Sequence, residues 1–116
     1  DVSQQFGDTF NGVWTDGNFV YVAAKNNGLL TYSVDGSGNL TFIDSDYQGS
    51  DTYVGVWGDG TFIYCACTDG GIRRYTVDGS GNIAFVDEDY QGSLYIRVWG
   101  DGTYLYVGKN NGIRSY

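Results

Sequence analysis

Short runs of alternating apolar and polar residues, separated by glycine-rich turns, make up almost the whole chain. The clearest example is residues 52–88, where four such runs cover 52–57, 61–67, 72–77 and 83–88. Runs of this length, bounded by Gly, Asp, Asn and Ser, are typical of β-strands joined by tight turns. The pattern therefore predicts four antiparallel strands in this stretch and an all-β fold.

The turn between the first two of these strands has the sequence Gly-Asp-Gly. Asp-Gly between apolar runs is a strong hairpin signal, because a type I′ turn requires positive φ at both of its central residues. We therefore expect positive φ at both Asp59 and Gly60.

The same phrase recurs along the chain with a long period. VWGDGT stands at 56–61 and 98–103, and VWTDGN stands at 13–18, so that Trp14, Trp57 and Trp99 are 43 and 42 residues apart. Four antiparallel strands in a repeat of about 42 residues are typical of a β-propeller blade. The sequence therefore predicts about three propeller blades of 42–43 residues in this chain.

The repeat accounts for the whole of residues 1–116, which we interpret as a single repeat domain. Its predicted parts are the tail of a preceding repeat (1–12), blade 1 (13–55), blade 2 (56–97) and an incomplete blade 3 (98–116). Closed propellers hold about four to eight blades, and two-fold symmetry is the commonest oligomeric solution. We therefore expect a homodimer that closes a six-bladed ring. A fragment of a longer propeller and a nine-bladed trimer are the alternatives.

Residues 1–7 carry a further expectation about that ring. The leader DVSQQFGDTFNG aligns with DSDYQGSDTYVG at 44–55, and it therefore corresponds to the end of a blade. The third repeat lacks its fourth strand. We expect residues 1–7 to supply that missing outer strand to the third blade of the partner copy.

Three stretches resemble known repeat families. FVYVAAKNNGLLTYSV and YLYVGKNNGIRSY resemble the LVIVD-type repeat of bacterial and archaeal surface proteins, although Tyr32, Tyr75 and Tyr116 stand where that pattern has Asp. IRRYTVDGSGNIAFVDED is similar, more weakly, to a blade of lactonase-like propellers. The resemblance implies a propeller and favours an extracytoplasmic or cell-surface location. It places no catalytic residue on this sequence.

The net charge of the chain argues against two classes of partner. The chain has 14 acidic and 6 basic residues and a net charge of −8. Nucleic acids and anionic membrane surfaces need positive charge on the protein, so we expect neither as a partner. No run of about 18 apolar residues is present, and membrane insertion is therefore not expected.

The chemistry that the side chains offer is narrow. The chain has no His, and its two cysteines, Cys65 and Cys67, point to one face of a strand about 7 Å apart, beyond disulfide reach. The DGSGN loops at 35–39 and 78–82 resemble the start of a calcium loop, but their residues are also those that tight turns select. We favour the turn interpretation and expect no metal, no cofactor and no catalytic residue; calcium stays open as the alternative.

Polar loop residues form the candidate ligand surface. In a propeller the loops between strands 2 and 3 and between strands 4 and 1 share one face. Tyr, Asn and Asp with glycine make an adaptable contact surface, and Arg97 breaks the repeat where Gly12 and Gly55 stand in the other copies. The candidate ligand-binding residues are Lys25, Asn26, Asn27, Asp51, Tyr53, Arg97, Lys109 and Asn110.

The three repeated tryptophans allow two interpretations. Large rings in the first strand of each repeat are expected to wedge blades together, and we assign Trp14, Trp57 and Trp99 to blade packing. Aromatic faces also stack on sugar rings, which leaves open a lectin with one aromatic site per blade. The predicted function is a non-enzymatic binding or adhesion module that presents its loop face to a protein or glycan. A lactonase-like hydrolase, the glycan-binding lectin and a purely structural repeat are the alternatives.

Overall fold

Eleven β-strands form the regular structure of the described residues. A computed structural model of the chain describes residues 10–49, 52–69, 71–90, 95–109 and 112–116. The strands are β1 (Gly12–Thr15), β2 (Phe19–Ala23), β3 (Leu29–Val34), β4 (Leu40–Asp46), β5 (Tyr53–Gly58), β6 (Ile63–Cys67), β7 (Gly71–Val77), β8 (Ile83–Asp89), β9 (Tyr95–Gly100), β10 (Leu105–Lys109) and β11 (Gly112–Ser115). No helix that could span a membrane occurs among these residues.

The strands pair in chain order into three antiparallel sheets. The first sheet is β1-β2-β3-β4, the second is β5-β6-β7-β8, and the third, within the described residues, is β9-β10-β11. Within each sheet, every strand pairs with the next one along the chain, as tight turns dictate. The prediction of an all-β fold is confirmed, and β5 to β8 lie within two residues of the four predicted runs.

The turn that contains Asp59 differs from the predicted type. Gly60 has φ of 92°, whereas positive φ outside glycine occurs, among the described residues, at Lys25. The prediction of positive φ at Asp59 is therefore wrong. Asp59 instead accepts hydrogen bonds from the backbone N–H groups of Thr61 and Phe62 through its side chain, which is the local bonding that makes Asp a turn residue. The same bonds hold these two residues in the turn, so that β6 begins at Ile63.

The sheets stack face to face and bury two cores. The first interface, between the first and second sheets, contains a fully buried cluster that includes Tyr21, Leu29, Tyr53 and Tyr75. The second interface, between the second and third sheets, contains Ala66, Ile72, Val98, Leu105 and Val107. A third apolar cluster, with Leu30 and Tyr32, lies on the face of the first sheet that points away from the second.

The first strands of successive sheets approach most closely. β1 contacts β5, β5 contacts β9, and contact between the outer strands β4 and β8 is sparser. A β-carbon built on Gly12 would lie 3.1 Å from Cα of Gly55, so this approach of two backbones depends on glycine. The sheets are therefore tightest at their first strands.

Candidate functional site

One hydrogen-bonded turn is built three times, at the end of the first strand of each sheet. In the second sheet, Oδ1 of Asp59 accepts the N–H groups of Thr61 and Phe62 at 2.8 Å each. Its Oδ2 accepts the hydroxyl of Tyr64 at 2.9 Å. Asp16 with Tyr21 (2.7 Å) and Asp101 with Tyr106 (3.0 Å) repeat this arrangement.

These turns keep their carboxylates ionised. Partial burial opposes the charge of Asp59, but the hydrogen bonds from Phe62, Thr61 and Tyr64 outweigh burial and lower its pKa. Burial, together with the hydrogen bond to Asp59, raises the pKa of Tyr64 to about 12. Each turn therefore presents a fixed negative charge beside a neutral phenol.

A tryptophan stacks on the tyrosine of every turn. The ring centroids of Trp57 and Tyr64 lie 6.0 Å apart with the planes 25° from parallel. Trp14 with Tyr21 and Trp99 with Tyr106 stack in the same way, at 5.7 and 6.2 Å. The pairing follows from antiparallel register, since Trp57 and Tyr64 are direct cross-strand partners.

The tryptophan also reaches the next sheet. A β-carbon built on Gly100 would lie 2.4 Å from the six-membered ring of Trp57, and one built on Gly58 would lie 2.5 Å from that of Trp14. Trp14 and Trp57 thus pack on the glycine that follows the tryptophan of the next repeat. Trp99 is 61% exposed, in contrast to these two.

A cleft of about 170 Å³ opens in the second interface between the turns of the second and third sheets. Trp57, Asp59 and Tyr64 of the second sheet line the cleft on one side, and Tyr104 of the third sheet, which is 55% exposed, lines it on the other. The remaining lining residues are Gly102, Thr103, Leu105 and Tyr116. The cleft thus combines aromatic rings with an ionised carboxylate and several hydroxyl-bearing side chains.

A separate polar cluster is buried in the first interface. The hydroxyls of Tyr53 and Tyr75 lie 2.5 Å apart, and Tyr53 also accepts the N–H of Gln48 at 3.1 Å. Burial raises the pKa of Tyr53 to about 12 and raises that of Tyr75 further. The guanidinium of Arg73 lies 5.4 Å from the centre of the Tyr53 ring and donates to Glu88 at 3.0 Å.

Arg73 stays charged and the thiol of Cys65 stays protonated in this cluster. Burial opposes the charge of Arg73, but the hydrogen bond to Glu88 outweighs it and raises the pKa of the arginine. Burial also raises the pKa of the Cys65 thiol, which makes the thiolate less accessible and the thiol a poor nucleophile. Neither group is presented to a ligand at the surface.

The DGSGN loops use their acidic residues as turn caps. Oδ1 of Asp35 accepts the N–H groups of Ser37 and Asn39 at 2.8 and 2.9 Å, and Oδ2 accepts Nδ2 of Asn39 at 3.0 Å. Asp78 makes the same bonds to Ser80 and Asn82. No group of three or more Cys, Asp or Glu side chains that could hold a metal occurs in the described part of the chain.

The predicted loop-face residues fall in different environments. Lys25 has φ of 43° and exchanges two backbone hydrogen bonds of 3.1 Å with Tyr53, so the structure brings these two residues together. Tyr53 itself is fully buried, which differs from the expected surface position, because its side chain points into the first interface. Asn26 is exposed and Asn27 is half-buried.

The other predicted site residues belong to the third sheet or lie outside the described residues. Arg97 is exposed and pairs across β9 and β10 with Gly108, the neighbour of Lys109, so both side chains are carried by one end of the third sheet. Asp51 and Asn110 lie outside the described residues, as do residues 1–7 with their expected latch role.

Sequence reasoning missed the cleft. It lies at the turns between first and second strands, the opposite end of the sheets from the predicted loop face. Its acidic and phenolic residues carry a periodic signal, because each Trp is followed two residues later by Asp and seven residues later by Tyr. That spacing marks the stacked pair and its cap, but it does not show that two neighbouring turns leave a gap between them.

Comparison with known proteins extends to the fold alone. No protein-family model and no curated protein matches the chain. Among solved structures, the chain is similar to the crystal structure of the computationally designed Ika4 protein, with a TM-score of 0.73 and 11% sequence identity. The match covers 92% of this chain and 64% of Ika4, so the chain spans less than two thirds of the length of that protein.

Proposed function

We propose that the three sheets are blades of a β-propeller and that the chain is a non-enzymatic binding module, with a glycan held in the cleft of the second interface. The close approach of the first strands and the sparser contact of the outer ones support the propeller, because blades converge on a central axis. The six-bladed homodimer stays a prediction.

The cleft is the observation that carries the binding function. Ligand sites combine mostly apolar and aromatic walls with a few placed polar groups, and this cleft is lined by Trp57, Tyr64 and Tyr104 together with the acidic residue Asp59. At about 170 Å³ it lies below the roughly 300–1,000 Å³ of typical small-molecule sites, a size that suits one ring of a glycan.

The polar groups of the cleft favour hydroxyl-rich ligands. Three donors already bind Asp59, and a carboxylate has about four acceptor positions, so one position remains for a ligand hydroxyl. The face of an exposed tyrosine gives a sugar ring an apolar surface on which to stack. Tyr104, 55% exposed at the rim, fits that role.

The same geometry favours binding over hydrolysis. A carboxylate whose pKa is lowered is a weak general base at neutral pH, and Asp59 is in addition committed to its turn. The buried thiols of Cys65 and Cys67 and the buried hydroxyls of Tyr53 and Tyr75 belong to the first interface. A hydrolase remains an outcome of the test below. A protein ligand on the predicted loop face, at Lys25, Asn26 and Lys109, stays the alternative binding function.

A glycan array followed by calorimetric titration with the best monosaccharide tests the proposal. We expect Tyr104→Ala and Asp59→Asn each to weaken binding about tenfold, equivalent to about 1.4 kcal/mol. Tyr90→Ala is the matched control, since Tyr90 is 50% exposed and does not line the cleft. Equal effects of all three variants, absence of glycan binding, or turnover in parallel esterase and lactonase assays would each overturn the proposal.

A further inference from the structure

The described residues that line the cleft beside Asp59 include a carboxylate and several aromatic rings but no basic side chain. The aromatic lining consists of Trp57, Tyr64, Tyr104 and Tyr116. A carboxylate attracts a cation by its charge, and the face of an aromatic ring attracts a cation because that face is electron-rich. The lining therefore suits a ligand that carries a positively charged group.

The neighbouring turn adds a second carboxylate close to the cleft. Thr103 and Tyr104, which both line the cleft, donate their backbone N–H groups to Oδ1 of Asp101 at 2.9 and 2.8 Å. The hydrogen bonds from Tyr104 and Thr103 lower the pKa of Asp101. The turns on both sides of the cleft thus hold ionised carboxylates. Both would repel an anionic ligand, and the net charge of −8 attracts cations over a longer range.

An arginine beside the cleft is paired with a different acid. Arg74 is the cross-strand partner of Tyr64, but it is not among the residues that line the cleft. Its Nε and Nη2 atoms donate to the two carboxylate oxygens of Asp87 at 2.9 and 2.7 Å. A bidentate pair of this kind is among the stronger side-chain contacts. The guanidinium is therefore committed to Asp87 and does not neutralise the cleft.

The same molecule holds a cation on the ring that corresponds to Tyr104. Phe62 has this position in the second repeat, and the guanidinium of Arg74 lies 4.4 Å from the centre of its ring, within the roughly 6 Å of a cation–π contact. In the third sheet, Ser115 takes the place of Arg74, opposite the same tyrosine of the repeat. Tyr104 therefore receives no cation from that position, and its ring is 55% exposed.

We propose that the ligand of the cleft is an amino sugar with a free, protonated amine, held with its ammonium group against Asp59 and the aromatic lining. The inference rests on the proposed glycan-binding function and narrows its ligand class. One acceptor position of Asp59 remains beside its three donors. A charged N–H donor makes a hydrogen bond roughly twice as strong as a neutral one. An ammonium group therefore uses that position better than the hydroxyl of a neutral sugar does.

Calorimetric titration of the native chain with three matched sugars tests the inference. Glucosamine, glucose and N-acetylglucosamine share one ring and differ at carbon 2, and at about pH 6 the free amine of glucosamine is protonated. We expect glucosamine to bind about tenfold more tightly than the other two, because an ion pair and a cation–π contact add to stacking. Raising the ionic strength from about 0.01 M to about 1 M should weaken the binding of glucosamine and leave that of glucose unchanged.

Two matched variants assign the preference to one carboxylate. We expect Asp59→Asn to lower the affinity for glucosamine to that for glucose, because the substitution removes the charge that lines the cleft. Asp101→Asn is the control, since Asp101 makes the same turn hydrogen bonds but does not line the cleft. It should change the preference about twofold or less, as expected for an exposed charge farther from the ligand. Circular dichroism checks that both variants fold.

The outcomes separate this inference from the proposed function. Equal affinities of the three sugars for the native chain, or a preference for glucosamine that persists in Asp59→Asn, would contradict the amino-sugar inference and leave glycan binding standing. Methylammonium chloride is the probe for a cation site without sugar recognition. If it bound as tightly as glucosamine, the glycan-binding function itself would be wrong. Absence of binding by all three sugars would overturn both proposals.

Discussion

The first and second interfaces share one contact and differ in another. In both, a tryptophan ring packs on a glycine of the next sheet, Trp14 on Gly58 and Trp57 on Gly100. In the first interface Tyr75 is fully buried and meets the edge of Phe85 on the fourth strand of its sheet. In the second, the equivalent Tyr116 is 38% exposed and borders the cleft.

The difference shows that two parts of the interface are specified separately. The shared contact joins the tryptophan of one repeat to the glycine after the tryptophan of the next, which is Gly58 or Gly100; the first repeat has Thr15 at that position. The rest of the first interface depends on the outer strands of the second sheet, because Val77 at the end of β7 and Ile83 and Phe85 on β8 pack against its core. The second interface contains the cleft beside Asp59, whereas in the first interface Tyr75 is fully buried.

Replacing the tryptophans should change the free energy of unfolding most. It tests whether the packing of tryptophan on glycine stabilises the fold. We expect Trp14→Ala to lower the free energy of unfolding by about 3 kcal/mol, since the ring leaves a cavity against Gly58. Trp99→Ala should lower it by about 1 kcal/mol or less, because the Trp99 ring is mostly exposed. Urea unfolding of both variants measures the two changes in free energy. Equal losses of stability would show that the contact of Trp14 with Gly58 contributes little.

Removing a tyrosine hydroxyl in each interface should have an intermediate effect. We expect Tyr75→Phe to cost about 1–2 kcal/mol, because the buried hydroxyl of Tyr53 loses a partner. Tyr116→Phe should change the stability by about 0.5 kcal/mol or less, since that ring is partly exposed. Thermal unfolding compares the two. A larger loss of stability at Tyr116 would mean that a tyrosine hydroxyl stabilises the second interface more than the first.

Lowering the pH should have the smallest effect on stability, and the effect should be the same for the turns at Asp16 and Asp59. The hydrogen bonds of the turns lower the pKa of Asp16 and Asp59 in the folded state despite the opposing effect of burial. Their stabilisation is therefore present above the ordinary pKa of about 3.9 and is lost as the pH falls through the lowered value.

Asp16→Asn and Asp59→Asn remove that pH-dependent part. We expect each variant to lose less stability than the native chain between pH 6 and pH 3, by about 0.5 kcal/mol or less, since both carboxylates are exposed. Urea midpoints at the two pH values give the comparison. Unequal effects at the two positions would mean that the turns, and not the packing around Tyr75, distinguish the interfaces.

Much of the fold could be predicted from local sequence, and each wrong prediction has a physical cause. The four strands of the second repeat were located because alternation and turn residues act over a few positions. The type of the turn at Asp59 was wrong because hydrogen bonds from the backbone to its side chain competed with a type I′ conformation. Tyr53 was assigned to a loop surface because its neighbours are polar, whereas β5 directs its ring into the first interface.

The candidate site was harder to predict, since its residues come from two sheets. Asp59, Tyr64 and Tyr104 are ordinary turn and strand residues in the sequence, and the cleft exists only where the second and third sheets leave a gap. The predicted roles of Asp51 and Asn110 stay predictions, because these residues lie outside the described residues.

The sequence by itself determined the all-β class, the period of the repeat and the tryptophan, aspartate and tyrosine of each turn. These depend on side-chain alternation and hydrogen bonds within one hairpin, which any copy of the repeat forms in the same way. Tertiary structure alone decided that the rings of Trp14 and Trp57 pack on Gly58 and Gly100, that the hydroxyls of Tyr53 and Tyr75 meet in a buried pair, and that a cleft lies beside Asp59. Identical local motifs differ here because burial depends on which sheet lies next to each one, and no short stretch of sequence contains that information.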